Sequence, residues 1–286
     1  MSGILRTIAL FLLALTFAPR ANAQLVAGAD APIIYGHHHL NVTSVEAHKK
    51  FWAETLGGTV TKLANNAEIV KFPGVLLFMR AQAPTGPTKG TTVNHIGFTV
   101  TNLRPLLDKV EANGFRIVTR EEAAPTVTIV DDIVQISGGN VSGGAYIMGP
   151  DDVKVELLEI KSQAAPIMLH HVHFFQAQNK EMQAWYVKMF GAKPRSAPAF
   201  LAADLPGVVL NFSESKDPVV GTKGRALDHI GFEVRNLEDF CKKLEAQGIM
   251  FDMPYRKVPA LNIAIAFITD PWGTSIELTE GLDKIS

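Results

Sequence analysis

Apolar and polar positions in this chain follow a pattern that repeats four times: a short strand-like run opened by histidine, a helix-like run, then further strand-like runs. The clearest pair is Asn94-His95-Ile96-Gly97-Phe98-Thr99-Val100 and Asp228-His229-Ile230-Gly231-Phe232-Glu233-Val234. Each leads into a helical pattern, from Asn102 to Gly114 and from Asn236 to Gly248, with Asn read as the N-cap and Gly as the C-terminal stop. Two diverged copies begin at His37-His38-His39-Leu40 and His171-Val172-His173-Phe174. Their helices end in Phe51-Trp52 through Gly57-Gly58 and in Trp185-Tyr186 through Gly191. His37 and His95 are 58 residues apart, as are His171 and His229. His37 and His171 are 134 apart, as are His95 and His229. Equal intervals with matching flanks point to a pair of modules that has been duplicated.

After each helix the pattern predicts three more strands, among them Phe72 to Phe78, Leu205 to Asn211, Val153 to Leu157 and Thr274 to Leu278, with turn signals before them. The expected fold class is therefore α+β: four βαβββ modules paired into two domains, each a curved, mostly antiparallel sheet forming a metal-binding pocket. The expected domains are 31–160 and 166–282. Residues 82–90 and 213–224, rich in Pro, Gly, Ser and Lys, are read as joining modules within a domain, and Lys161 to Pro166 as joining the domains. A glycine-rich insert, Ser137 to Gly144, reads as a surface hairpin turn or a mobile lid.

Composition narrows the partners. With 27 basic and 28 acidic side chains the formal net charge is -1, which argues against nucleic acid or an anionic membrane surface as the main partner. Oligomeric state is left open. At the N-terminus, Arg6, the apolar run Ile8 to Phe17 and Ala21-Asn22-Ala23 read as a signal peptide over residues 1–23, with Gln24 the first mature residue. That implies an exported protein, periplasmic or secreted, with no membrane attachment once the signal is removed. Cys241 is the only cysteine, so no internal disulfide can form; it reads as a buried small hydrophobe.

Eight of the nine histidines cluster at the starts of the leading strands: His37, His38, His39, His95, His170, His171, His173 and His229. Only His48 falls elsewhere, as an expected solvated helix residue. Glu156 and Glu277 sit inside apolar strands, where a carboxylate needs a partner charge or a metal. Two histidines and a carboxylate with open positions form a ligand set for a divalent ion such as Fe, Mn, Zn, Ni or Co. Strand alternation places His37 with His39, and His171 with His173, on one face, and His38 and His170 on the other. His39 and His173 are thus candidates for proton donation, substrate binding or support of the ligands.

These residues resemble the vicinal oxygen chelate superfamily, which includes glyoxalase I, type I extradiol dioxygenases and bleomycin-resistance proteins. The H-I-G-F-x-V strands, the Phe51-Trp52 helix end and the Asp270-Pro271-Trp272-Gly273 to Glu277 segment carry the likeness over about residues 33–282. The resemblance implies a metal-dependent lyase, isomerase or dioxygenase acting on a small oxygen-rich substrate chelated through vicinal oxygens; the alternative is a non-catalytic, bleomycin-resistance-like binder. Carried over by position, the metal ligands are His171, His229 and Glu277, with Asn211 in a fourth position, and in the other pair His37, His95 and Glu156, with Phe78 in that position. Glyoxalase I-like enzymes generally place a proton-transferring carboxylate where this chain has Asn211 and Phe78. The dioxygenase pattern expects a tyrosine where Phe267 stands and a histidine near Val258, Pro259 and Ala260. Tyr146 occupies the equivalent place ahead of Glu156, which makes it a third candidate catalytic residue beside His39 and His173.

Overall fold

A computed structural model describes Leu25, residues 31–196 and residues 200–284. The expected signal segment 1–23 and Gln24 lie outside the described residues. No helix among the described residues is long and apolar enough to cross a membrane.

The four modules are present. Their leading strands are Ile33–Val42, Val93–Val100, Ile167–Phe175 and Leu227–Val234; their last strands are Val75–Ala81, Lys154–Glu159, Val208–Ser213 and Ser275–Glu280. Each leading strand pairs in parallel with its own module's last strand, and the remaining pairings are antiparallel. The helices Leu103–Ala112, Asn179–Phe190 and Leu237–Ala246 fall where the periodicity predicts them. In the first module the helix Val45–Lys49 widens into a π-helical turn, Lys50–Thr55, that buries Phe51 and Trp52. Asn102 and Asn236 stand at the N-caps, but neither side chain makes the capping bond. The first free N–H of each helix is taken instead by a glutamate of the last strand, Leu103 by Glu159 and Leu237 by Glu280.

Which modules pair is the main correction to the sequence reading. The first module shares a sheet with the fourth, through antiparallel leading strands Ile33–Val42 and Leu227–Val234. The second shares a sheet with the third, through Val93–Val100 and Ile167–Phe175. Linker length supplies the reason. The stretch from Lys161 to Pro166 is too short to carry the chain to another sheet, so Ile167–Phe175 lands against Val93–Val100, one strand over from Lys154–Glu159. The two longer linkers are the ones that cross between sheets, and they bond to each other there: Thr85 N–H to Gly224 O, Ala226 N–H to Gly86 O and Thr92 N–H to Val220 O.

One apolar core runs through all four modules, including Trp52, Phe98, Phe174, Tyr186 and Phe232. His48 belongs to this interior and is not solvated: it is fully buried, accepts a bond from Trp52 Nε1 at 3.2 Å and holds Asp151 of the second module at 3.0 Å. The first module's helix is thereby fastened to the other sheet. Cys241 is buried, with its thiol pushed up to about 11 by burial. The glycine-rich insert is a surface hairpin connection between Ile133–Gln135 and Gly143–Met148.

Candidate metal centres

At the middle of each sheet, one residue from each of four neighbouring strands forms a row. In the sheet of modules one and four the row is His37, Gly231, Glu277, Phe267; in the other it is His171, Gly97, Glu156, Tyr146. Cross-strand neighbours share a face, so the histidine and glutamate flank a glycine. That glycine has no substitute: a Cβ on Gly231 or Gly97 would overlap the imidazole of His37 or His171. The H-I-G-F motif thus leaves room for an imidazole from the partner module. A second row on the same face sets His39 against His229, and His173 against His95. Bulges at Gly36 and His170 and after His39 and His173 adjust the leading strands at these points.

In the centre of modules one and four, His37 Nε2 and His229 Nε2 lie 2.9 and 3.0 Å from the same oxygen, Glu277 Oε2. His229 Nδ1–H donates to Asp228 Oδ1 at 2.7 Å, and Asp228 is itself held by Asn41 Nδ2 and the Gly224 N–H. His39 packs 4.6 Å from His229 and stacks on Phe78.

The centre of modules two and three repeats this with His95 Nε2 and His171 Nε2 at 3.1 and 3.0 Å from Glu156 Oε2. His95 Nδ1–H donates to Asn94 Oδ1, which also accepts from Lys154 Nζ. The bulge turns His170 towards its neighbour, so the two rings share an Nδ1 to Nδ1 hydrogen bond of 2.9 Å; strand alternation alone had put His170 on the far face. His173 joins the cluster, with its Nε2 on Ser213 Oγ at 2.8 Å.

Charge follows from burial and contact. Burial opposes ionisation of Glu277, Glu156 and Asp228, yet the imidazoles beside them prevail and hold all three below the usual carboxylate range. Burial drives His39 down to about 3 and His95 to about 4, so both rings are neutral at neutral pH. His229 goes the other way: the bonds to Asp228 and Glu277 outweigh burial and raise it. Burial, followed by the Glu156 charge, raises the Tyr146 phenol, which stands protonated beside Glu156 in the metal-free protein.

Both clusters have the chemistry of a divalent-metal donor set. Outer bonds occupy Nδ1 of His95, His171 and His229, leaving Nε2 aimed inward. His173 Nδ1 is buried without a hydrogen-bond partner, as an ion's ligand would be in its absence. Among the described residues the donor groups are His37, His229, Glu277 and His95, Glu156, His171, His173. The expected triads are therefore recombined. His171 is parted from His229 and Glu277, and His37 from His95 and Glu156, because each triad spans two paired leading strands. Asn211 stands beside His173, not in the donor set, and Phe78 beside His39. The outer partners Asn94 and Asp228 went unread, although each immediately precedes its histidine in the repeated motif.

Comparison with known proteins agrees with this architecture. The family model of the Glyoxalase/Bleomycin resistance protein/Dioxygenase superfamily matches residues 34–157 and 168–278. The chain is similar to glyoxalase I from Zea mays, at 16% identity and a TM-score of 0.65 over 88% of this chain and 94% of that one. It is also similar to a Bacillus subtilis protein of proposed dioxygenase activity, at 13% identity and a TM-score of 0.61 over 87% of this chain and 86% of the other. At such identities the likeness is one of fold. A search of curated proteins found no match.

Proposed function

The chain belongs to the Glyoxalase/Bleomycin resistance protein/Dioxygenase superfamily, and from that premise we propose that it is a metal-dependent enzyme acting on a small, anionic, oxygen-rich substrate at the centre of modules one and four. The observation that carries the choice of centre is a cavity of about 200 Å³ lined by His37, His39, Phe78, Arg256 and Glu277, with an apolar wall that includes Ile263 and Ile265. Its size suits a metabolite smaller than a typical drug. Arg256 has no ion-pair partner among the described residues, which suits a negatively charged ligand.

His37, His229 and Glu277 would hold the ion, whose chemistry there is Lewis-acid polarisation of two vicinal oxygens. His39, kept neutral by burial, lines the same cavity. No carboxylate stands at Phe78 to move a proton as glyoxalase I-like chemistry requires, so proton handling falls to His39 in this proposal. Export to the periplasm or medium, on the evidence of residues 1–23, is part of the same proposal.

Metal analysis tests the reading. A divalent ion retained by the mature protein and lost from this centre in His37→Ala and Glu277→Ala is expected, together with turnover of small α-oxo or α-hydroxy acids that falls in Arg256→Gln chiefly through KM. Protein that never retains metal and binds such acids equally well after those substitutions is a binder and not this enzyme.

A further inference from the structure

The two centres share a plan but not a donor count, and each difference lies at an equivalent position. His173 and His39 occupy matching places on the leading strands. Beside His173 the last strand offers Asn211 and then Ser213, and Ser213 Oγ anchors the ring through Nε2. That leaves Nδ1 buried and unpartnered, and His173 itself belongs to the donor cluster. Beside His39 the same two positions are Phe78 and Arg80. No hydroxyl anchors His39; it stacks on Phe78, lies outside the donor group and faces the cavity. A third difference concerns the first ligand of each centre. His171 Nδ1 is bonded to His170, whereas His37, preceded by Gly36, has an Nδ1 with no partner. Phe175 and Phe200 pack against His173, with ring centroids 5.0 and 5.4 Å away.

Four protein donors with supported rings describe a holding site. Three donors beside a cavity describe a reacting site, because catalytic metals keep positions open for substrate. We propose that the centre of modules two and three is a closed, tightly held divalent-metal site whose fourth ligand is His173 Nδ1, distinct in role from the open centre of modules one and four. The retained ion ties the second module to the third and stabilises the fold. This rests on the reading that both donor sets bind metal, and it adds their inequivalence.

Cobalt(II) added to metal-stripped mature protein tests it. Two ions per chain are expected, released to excess EDTA in one fast and one slow phase. Glu156→Ala removes the slow phase and His37→Ala the fast one. Ser213→Ala, which frees His173 without deleting it, speeds the slow phase about 10- to 100-fold. His173→Ala speeds it at least as much while leaving total cobalt at saturation unchanged, and His39→Ala leaves both rates within about twofold. Acetohydroxamate, a small vicinal-oxygen chelator, perturbs the visible absorption of only the fast-releasing ion. A single release phase in the wild type, or a slow phase indifferent to both His173→Ala and Ser213→Ala, overturns the inference while leaving metal binding intact. Failure to bind cobalt at either centre overturns the reading beneath it.

Discussion

Gly97→Ala separates the observed pairing of modules from the pairing of chain neighbours. The added methyl would overlap the imidazole of His171, far inside the roughly 3.5–4.0 Å at which carbon atoms rest against one another. Backbone surrounds the position in a central strand, so the ring has to move. Overpacking of this kind costs about 1–3 kcal/mol. Swinging His171 off Glu156 forfeits a charge-assisted contact of about 1.5–3 kcal/mol. A loss of about 2.5–6 kcal/mol is expected, read by chemical denaturation with the midpoint compared at constant slope. The location of the damage is more diagnostic than its size. In a Glu277→Ala background, which disables the other centre, Gly97→Ala should abolish the remaining metal; in a Glu156→Ala background it should not alter metal content. Gly231→Ala should give the mirror result through His37. If Gly97→Ala instead emptied the centre containing His37 and Glu277, the module pairing described above would be wrong.

Acid should unfold the metal-free protein early. Burial lowers His38 to about 3, and His95 and His170 to about 4, from 6.5. The unfolded chain therefore takes up protons below pH 6.5 that the folded chain refuses, and stability falls with pH until those folded values are reached. Each group contributes roughly 1.4 kcal/mol per pH unit inside that window; Glu233, held up at about 7 by burial, has the opposite sign over the same range but is outnumbered by the three imidazoles, and His229, raised by its carboxylates, acts above 6.5. Thermal melts that do not shift between pH 7 and 5 would contradict this. Asp228→Asn removes the carboxylate behind His229 and should weaken metal at the open centre about 10- to 100-fold, measured by chelator competition, with the other centre unaffected. His48→Ala strands Trp52 Nε1 and Asp151 and should cost about 1–3 kcal/mol in urea unfolding without altering metal content.

The fold class was legible because repetition is a sequence property. The histidine-led strands, the aromatic helix ends and the terminal glycines recur in register, and the elements form at those places. Pairing was not legible from the motifs, since all four leading strands offer equivalent edges and any two could meet. The choice lies in the relative lengths of the linkers, whose roles the pattern alone led us to exchange. The donors show the same division. His37, His95, His171, His229, Glu156 and Glu277 could be named from strand position, but their grouping could not. His48 was misjudged because a polar residue on a short helix looks solvated until the helix packs against a second sheet and Asp151 meets it there. His170 was misplaced because strict alternation has no term for a bulge.

The exchange of modules has a consequence for how function is divided along the chain. The first half supplies His37 to one centre and His95 with Glu156 to the other; the second half supplies His229 with Glu277 to the first and His171 with His173 to the second. Neither half contains a complete donor set. The amino-terminal half can place one histidine at the open centre, and the carboxy-terminal half can place a histidine and a glutamate there, but its cavity needs His37, His39 and Phe78 as well as Arg256 and Glu277. The two linkers that cross between sheets bond to one another, so forming one sheet also positions the strands of the other. On the proposed reading, metal binding and assembly of the two halves are one event, and an ion held at the closed centre would pre-align the strands from which the open centre is built.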